Sequence, residues 1–333
     1  MRGRLTGLDG LRGIAAFSVF AHHLYMNVHE VSRGAAFLSV DFFFMLSGYV
    51  MARTYEDRWW GGASAAGFLR ARLRRLWPTM AVGGLIGAVA AWMTYPVPVA
   101  LPIMLNLAFI PYFVGPRVFP LNGPAWSIFF ELAANLLHVL ILRRLSPRAL
   151  LAIAAVSAGL IVLGGFDIGL DVGSRPENFL FGLPRVLLSY SIGILLWRWW
   201  RDRPPFRIGA PLAFAAMPAF FLFTVAVDGL AWQANLLFIA IICPLIVAGG
   251  LQFSEASRWA GIAAVAGAMS FPLYAVHAPV MYLVKNLGGG WPVSAAMSLL
   301  VVGLFPSVRR SASQLRSLRG PLAPPDATGS RFA

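Results

Sequence analysis

Apolar runs of about 17–22 residues recur along nearly the whole chain, each long enough to cross a hydrocarbon core of about 30 Å as a helix. In lipid every backbone N–H and C=O must be satisfied internally, so only helices and closed barrels span it. Runs of this length select helices. The 333 residues are 59% hydrophobic and 12% charged, against about 25% charged in soluble domains. The expected fold is therefore all-α, a polytopic transmembrane bundle of about ten spans filling residues 1–306 as one domain. The stretch 307–333, rich in Ser, Arg, Pro and Gly, is expected to be a disordered basic cytoplasmic tail.

Net charge +14 raises the question of nucleic acid, but the basic residues are nearly all arginine and gather at span ends. That is the signature of cytoplasmic loops, so the partner is the lipid bilayer and not nucleic acid. The first run carries Arg12 and His23 and no small-residue cleavage site, and is expected to be kept as a span. Cys243, the lone cysteine, permits neither a disulfide framework nor a metal cluster, so no metal is expected. Neither an internal repeat nor a pair of broken helices is evident.

One threading satisfies the arginines. Both termini are cytoplasmic, and spans run over about 10–28, 36–52, 78–95, 124–142, 148–166, 180–200, 209–227, 232–250, 262–285 and 291–306. The loop from Arg53 to Trp77, with Arg53, Arg58, Arg70, Arg72, Arg74 and Arg75, stays inside. The short piece 100–114, with Pro102 and Pro111, is read as interfacial or re-entrant, because a crossing there would put Arg143, Arg144 and Arg148 outside. The segment 166–179 then becomes an outer loop.

Arg12 and His23 lie eleven residues apart in LDGLRGIAAFSVFAHHLYM. At about 100° per residue they share a helix face, about 16 Å apart along the axis. Ionisable groups inside a bilayer cost at least about 2.5–3.5 kcal/mol at the helix centre and usually line a cavity or pathway. Folding the first two spans about residue 32 puts Asp41 at the depth of His23, and Glu131 and His277 fall in the same outer layer. A carboxylate beside an imidazole fixes its tautomer and raises its basicity. A polar network tying helices together is the plainer alternative. Arg72 and Arg75, three apart, share a face. Their guanidinium forks suit phosphates, although positive-inside anchoring alone explains several arginines before a span.

With these residues in hand, the chain resembles the acyltransferase-3 family of bacterial integral membrane proteins. The resemblance rests on LDGLRGIAAFSVFAHHLY with its R-x10-H pair, SVDFFFMLSGYVMA, FLRARLRRLWP, NGPAWSIFFEL and SFPLYAVHAPV, in that order over residues 5–285. The chain departs from the family in carrying one acid, Glu131, where relatives often show two. Its arginine- and serine-rich ending also replaces an aromatic and acidic one.

The resemblance implies an O-acyltransferase of the bacterial inner membrane. Its donor would be cytoplasmic acyl-CoA, most often acetyl-CoA, and its acceptor a hydroxyl of an envelope carbohydrate or glycolipid. It places the essential histidine at His23, with Arg12 in the same motif, and donor phosphates at Arg72 and Arg75, with Arg74 and Arg53 nearby. In the accompanying mechanism His23, oriented by Asp41, is the base, with Glu131 in the same catalytic layer. Ser47, Trp126 and His277 are alternative groups for polarising the carbonyl. Direct transfer and a transient acyl-histidine stay open. A proton-coupled transporter is the rival reading, since intramembrane Asp, Glu and His also mark proton relays.

Overall fold

The computed structural model describes residues 3–60, 62, 64–94, 100–165, 170–227 and 232–318. Its long elements are α1 (Thr6–His29), α2 (Ser39–Trp60), α3 (Ala65–Thr94), α4 (Ala100–Leu107), α5 (Ala125–Leu140), α6 (Pro147–Gly165) and α7 (Gly182–Trp200). There follow α8 (Ala210–Ala226), α9 (Trp232–Leu237), α10 (Cys243–Leu251), α11 (Ala260–Asn286), α12 (Trp291–Leu304) and α13 (Pro306–Leu318). No strand occurs among the described residues.

Each of the ten expected spans coincides with helix, but six are long and apolar enough to cross a membrane: 36–59, 65–94, 147–164, 176–200, 232–251 and 260–286. The pair α12 and α13, bent by 79°, makes a seventh if taken as one. Helices α5 and α8 are apolar but only 16 and 17 residues long. Helix α1 has the length, at 24 residues, but its arginine and paired histidines dilute its apolar content.

Two expectations are corrected. The arginine-rich stretch 53–77 is mostly helix, because α2 runs on to Trp60 and α3 passes straight through Pro78. Arginine, leucine and alanine are good helix formers, and one proline removes one ladder bond. The tail is helical over Pro306–Leu318, opened by its proline and packed against α11. The rest of it, 319–333, lies outside the described residues, as do 166–169 of the expected outer loop.

Small residues set the tightest crossings. A Cβ on Gly48 would strike the Tyr190 carbonyl, and one on Gly193 the Met45 carbonyl, so α2 and α7 touch backbone to backbone. Around α1 pack α2, α8, α10, α11 and α12, which buries the helix that carries Arg12 and His23. On the periphery, Leu151, Val156 and Leu163 of α6 are exposed, as a lipid-facing surface requires.

The arginine-rich ends of the helices meet. Arg53 bonds Asp202 and the Gly3 carbonyl. Arg198 bonds Glu56 and the carbonyls of Leu142, Arg143 and Leu145. At the other end Lys285 pairs with Glu30 at 3.1 Å, and Asn286 donates to the Ala90 carbonyl.

Between α3 and α5 the chain folds back along α3. The Trp77 indole donates to the Leu107 carbonyl at 2.9 Å, Asn106 lies on Gly84, Leu121 on Gly87 and Asn122 on Gly83. Helix α4, only 8 residues long, is too short to cross a bilayer by itself. Pro279 in α11 explains how the returning chain is held. Proline has no N–H, so the carbonyl of Ala275, four residues back, loses its helical donor. The Asn122 amide takes that place at 2.9 Å.

Candidate active site

Two chambers open inside the bundle and share Val40 and Tyr274 as wall. The smaller, of about 80 Å³, is lined by Arg12, Ser47, Arg72, Arg75 and Glu131 with Phe43 and Phe44. The larger, of about 360 Å³, is lined by His22, His23, Arg117, Trp126, Asp171 and Tyr282.

The arginine chamber is built by α1, α2, α3, α5 and α11. Glu131 accepts from Ser47 Oγ at 2.8 Å and from Arg72 Nη2 at 2.5 Å. Three guanidiniums, those of Arg12, Arg72 and Arg75, thus surround one carboxylate. Arg12 and Arg75 make no hydrogen bond or ion pair among the described residues, and Arg72 Nε is buried without a partner. A chamber with this surplus of positive charge and open donors can receive an anion.

In the histidine chamber the two rings predicted to share a layer are in contact. His23 Nδ1 and His277 Nε2 stand 2.6 Å apart, and His277 Nδ1 donates to the Leu273 carbonyl at 2.8 Å. The ring centroids are 4.9 Å apart and the planes only 16° apart. That separation equals the nitrogen contact plus two ring radii, so the imidazoles meet edge to edge.

Asp41 does not meet His23, which corrects the expected pair. It is fully buried and bound by Arg185, with Nη2 to Oδ2 at 2.9 Å and Nε to both oxygens at 3.2 Å. Arg185 also holds Asp171 and the carbonyls of Val172 and Phe37. Equal depth on two helices does not fix which way each side chain turns, and a buried carboxylate takes the nearest cation.

The remaining predicted residues divide. Arg12, Ser47, Arg72, Arg75 and Glu131 come together, and Trp126 and His277 lie at the second chamber or its wall. Ser47 is committed to Glu131, and both ring nitrogens of His277 are engaged. Arg53 is drawn off to Asp202, and Arg74 is exposed and lines neither chamber. Sequence reasoning missed Arg117, Arg185 and Tyr274. Arg185 carried a usable signal, a lone cation within the apolar run LPRVLLSYSIGILL. Tyr274, bonded to Ser127 at 2.6 Å on the shared wall, carried none.

Fold and site together define a multi-pass helical membrane protein with an arginine-lined chamber that shares a wall with one beside a histidine pair. The chain belongs to the acyltransferase-3 family, whose model, an acyltransferase domain, matches residues 5–308, and it is an acyltransferase. It is also similar to "Protein 2 in picA locus" of Rhizobium radiobacter, with 30% identity over 189 residues, covering 49% of this chain and 96% of that protein. No solved structure matches it.

Proposed function

We propose that the protein is an O-acyltransferase. It would take an acyl group, most often acetyl, from cytoplasmic acyl-CoA and place it on a hydroxyl of an envelope carbohydrate or glycolipid. In this reading it sits in the bacterial inner membrane with ten spans and both termini cytoplasmic. The observation that carries the proposal is the pair of unpartnered guanidiniums, Arg12 and Arg75, in a chamber that shares a wall with the one holding His23.

The donor's phosphates dock on Arg12, Arg72 and Arg75, with the forked geometry that favours phosphate oxygens. The pantetheine arm runs along the α1 stripe toward His23, about 16 Å away by helical rise. His23 Nε2 then accepts the proton of the acceptor hydroxyl as its oxygen attacks the thioester carbon. The new C–O bond forms, the C–S bond breaks, and the thiolate leaves with that proton as free coenzyme A. Alignment in a confined chamber supplies much of the rate. Arg117, which lines this chamber and donates to the Tyr282 hydroxyl, would serve charge that develops on the carbonyl oxygen.

Binding of acetyl-CoA to the purified protein in lipid nanodiscs tests the donor site. Arg12→Gln and Arg75→Gln each weaken it by about 10-fold or more, as expected for loss of a charge-assisted bond worth about 1.5–3 kcal/mol. Unchanged affinity in both variants removes the arginine chamber from donor binding. Mass analysis of envelope glycans from a deletion strain tests the acceptor, and an unaltered acyl pattern refutes it.

A further inference from the structure

We infer that His277 is a positioning residue which dictates the tautomer of His23 and leaves Nε2 of His23 as the bare nitrogen facing the larger chamber. The inference deepens the proposed function, since it rests on His23 being the base.

The argument is one of hydrogen accounting along three groups. The Leu273 carbonyl only accepts, so His277 Nδ1 carries a hydrogen and donates it at 2.8 Å. A neutral imidazole has one N–H, so His277 Nε2 is bare. At 2.6 Å from it, His23 Nδ1 must then be the donor. His23 has spent its single hydrogen there, and its Nε2 holds a lone pair. That nitrogen meets no hydrogen-bond partner among the described residues, and the ring is part of the chamber wall.

Geometry supports each link. The near-coplanar, edge-to-edge arrangement aims the Nδ1–H of His23 along the lone pair of its partner. His277 is itself fixed, fully buried with Phe20 edge-on at 6.2 Å and Tyr274 at 6.1 Å. His22 stands 5.8 Å from His23 between ring centroids, and the chamber wall also carries Arg117, Asp171, Arg175, Lys285 and Glu30. His22 has its own partner in Ser32 at 3.4 Å. A free histidine in water favours the Nε2–H form, in which the chamber-facing nitrogen would be blocked. The second histidine reverses that preference with no carboxylate, the role the sequence had given to Asp41. Because both ring nitrogens of His277 are occupied, it cannot also donate to a developing oxyanion.

Magic-angle-spinning NMR of histidine-labelled protein in lipid at neutral pH reads the tautomers directly, with the His23 signals identified by their loss in His23→Asn. The expected result is Nδ1–H on both His23 and His277. An Nε2–H tautomer on His23 in the wild-type protein overturns the inference, and this arm needs no substrate, so it decides even if no acyl transfer is found. In turnover with acetyl-CoA, His277→Leu lowers kcat by about 100-fold or more, the scale of a general base, with KM for acetyl-CoA unchanged. His277→Gln, whose amide oxygen reaches the Nε2 position, recovers kcat to within about 10-fold of wild type. His277→Asn keeps the bond to Leu273 but is too short to reach His23, and it behaves like the leucine variant. Equal kcat in the leucine, asparagine and glutamine variants, or loss of activity in glutamine and leucine alike with the His23 tautomer unmoved, refutes the role.

Discussion

Asp41 shows how far a single residue can be read. Its depth relative to His23 follows from the α1–α2 turn, and a carboxylate there would have been an attractive partner for the imidazole. The structure gives it to Arg185, which is 1% exposed and also holds Asp171 and two backbone carbonyls. Nothing in a run of apolar residues says at which angle a side chain leaves its helix relative to a neighbour as distant in sequence as α7. The clamp is structural, and its behaviour on mutation follows. Removing one partner of a buried ion pair leaves an uncompensated charge and costs about 3–5 kcal/mol. Arg185→Leu therefore lowers the melting temperature in detergent sharply, and Arg185→Leu with Asp41→Leu recovers part of the loss. Asp41→Asn, which keeps the shape, leaves kcat within about threefold of wild type, since a group not touching the reacting atoms supplies none of the base's factor. A kcat loss above about 100-fold with unchanged melting would return Asp41 to the chemistry.

Among elements, the ends were less legible than the middles. The apolar run of α3 was found, but its extension to Ala65 was not, because arginines that signal a cytoplasmic end are also good helix formers. The short piece after α3 was read as interfacial or re-entrant from its length, its two prolines and arginine placement, and the helix found there has only 8 residues. What the sequence did not disclose is that the returning chain is pinned by an asparagine to a carbonyl orphaned by a proline in α11. The pin has a thermodynamic signature. Asn122→Leu strands the Ala275 carbonyl and destabilises by about 1–3 kcal/mol. Pro279→Ala restores an N–H four residues on, so in its presence the same asparagine change costs less. Unfolding measured on the four proteins of this cycle gives the coupling. Strictly additive effects would mean that the proline leaves no vacancy for Asn122 to fill.

At the scale of the whole molecule, the all-helical membrane fold and the clustering of arginine-rich ends were both readable, because hydrocarbon tolerates so few backbone solutions. The span count was not, since α1, α5 and α8 trade apolar length for polar cargo or early termination. The sequence also argued against transport from the absence of an evident repeat and of broken-helix pairs. The fold-back between α3 and α5 weakens the second ground, and the family assignment carries the distinction instead.

Sidedness is open to direct test because the only cysteine, Cys243, is buried. In a Cys243→Ser background, single cysteines at Val114 and Leu287, both 67% exposed, report on the end where Glu30 meets Lys285. A cysteine at Arg144 reports on the arginine-rich end. If arginines mark the cytoplasmic side, an impermeant maleimide labels Val114→Cys and Leu287→Cys in intact spheroplasts and Arg144→Cys only after permeabilisation. Labelling of Val114→Cys and Leu287→Cys from opposite sides would mean that the segment after α3 crosses the bilayer.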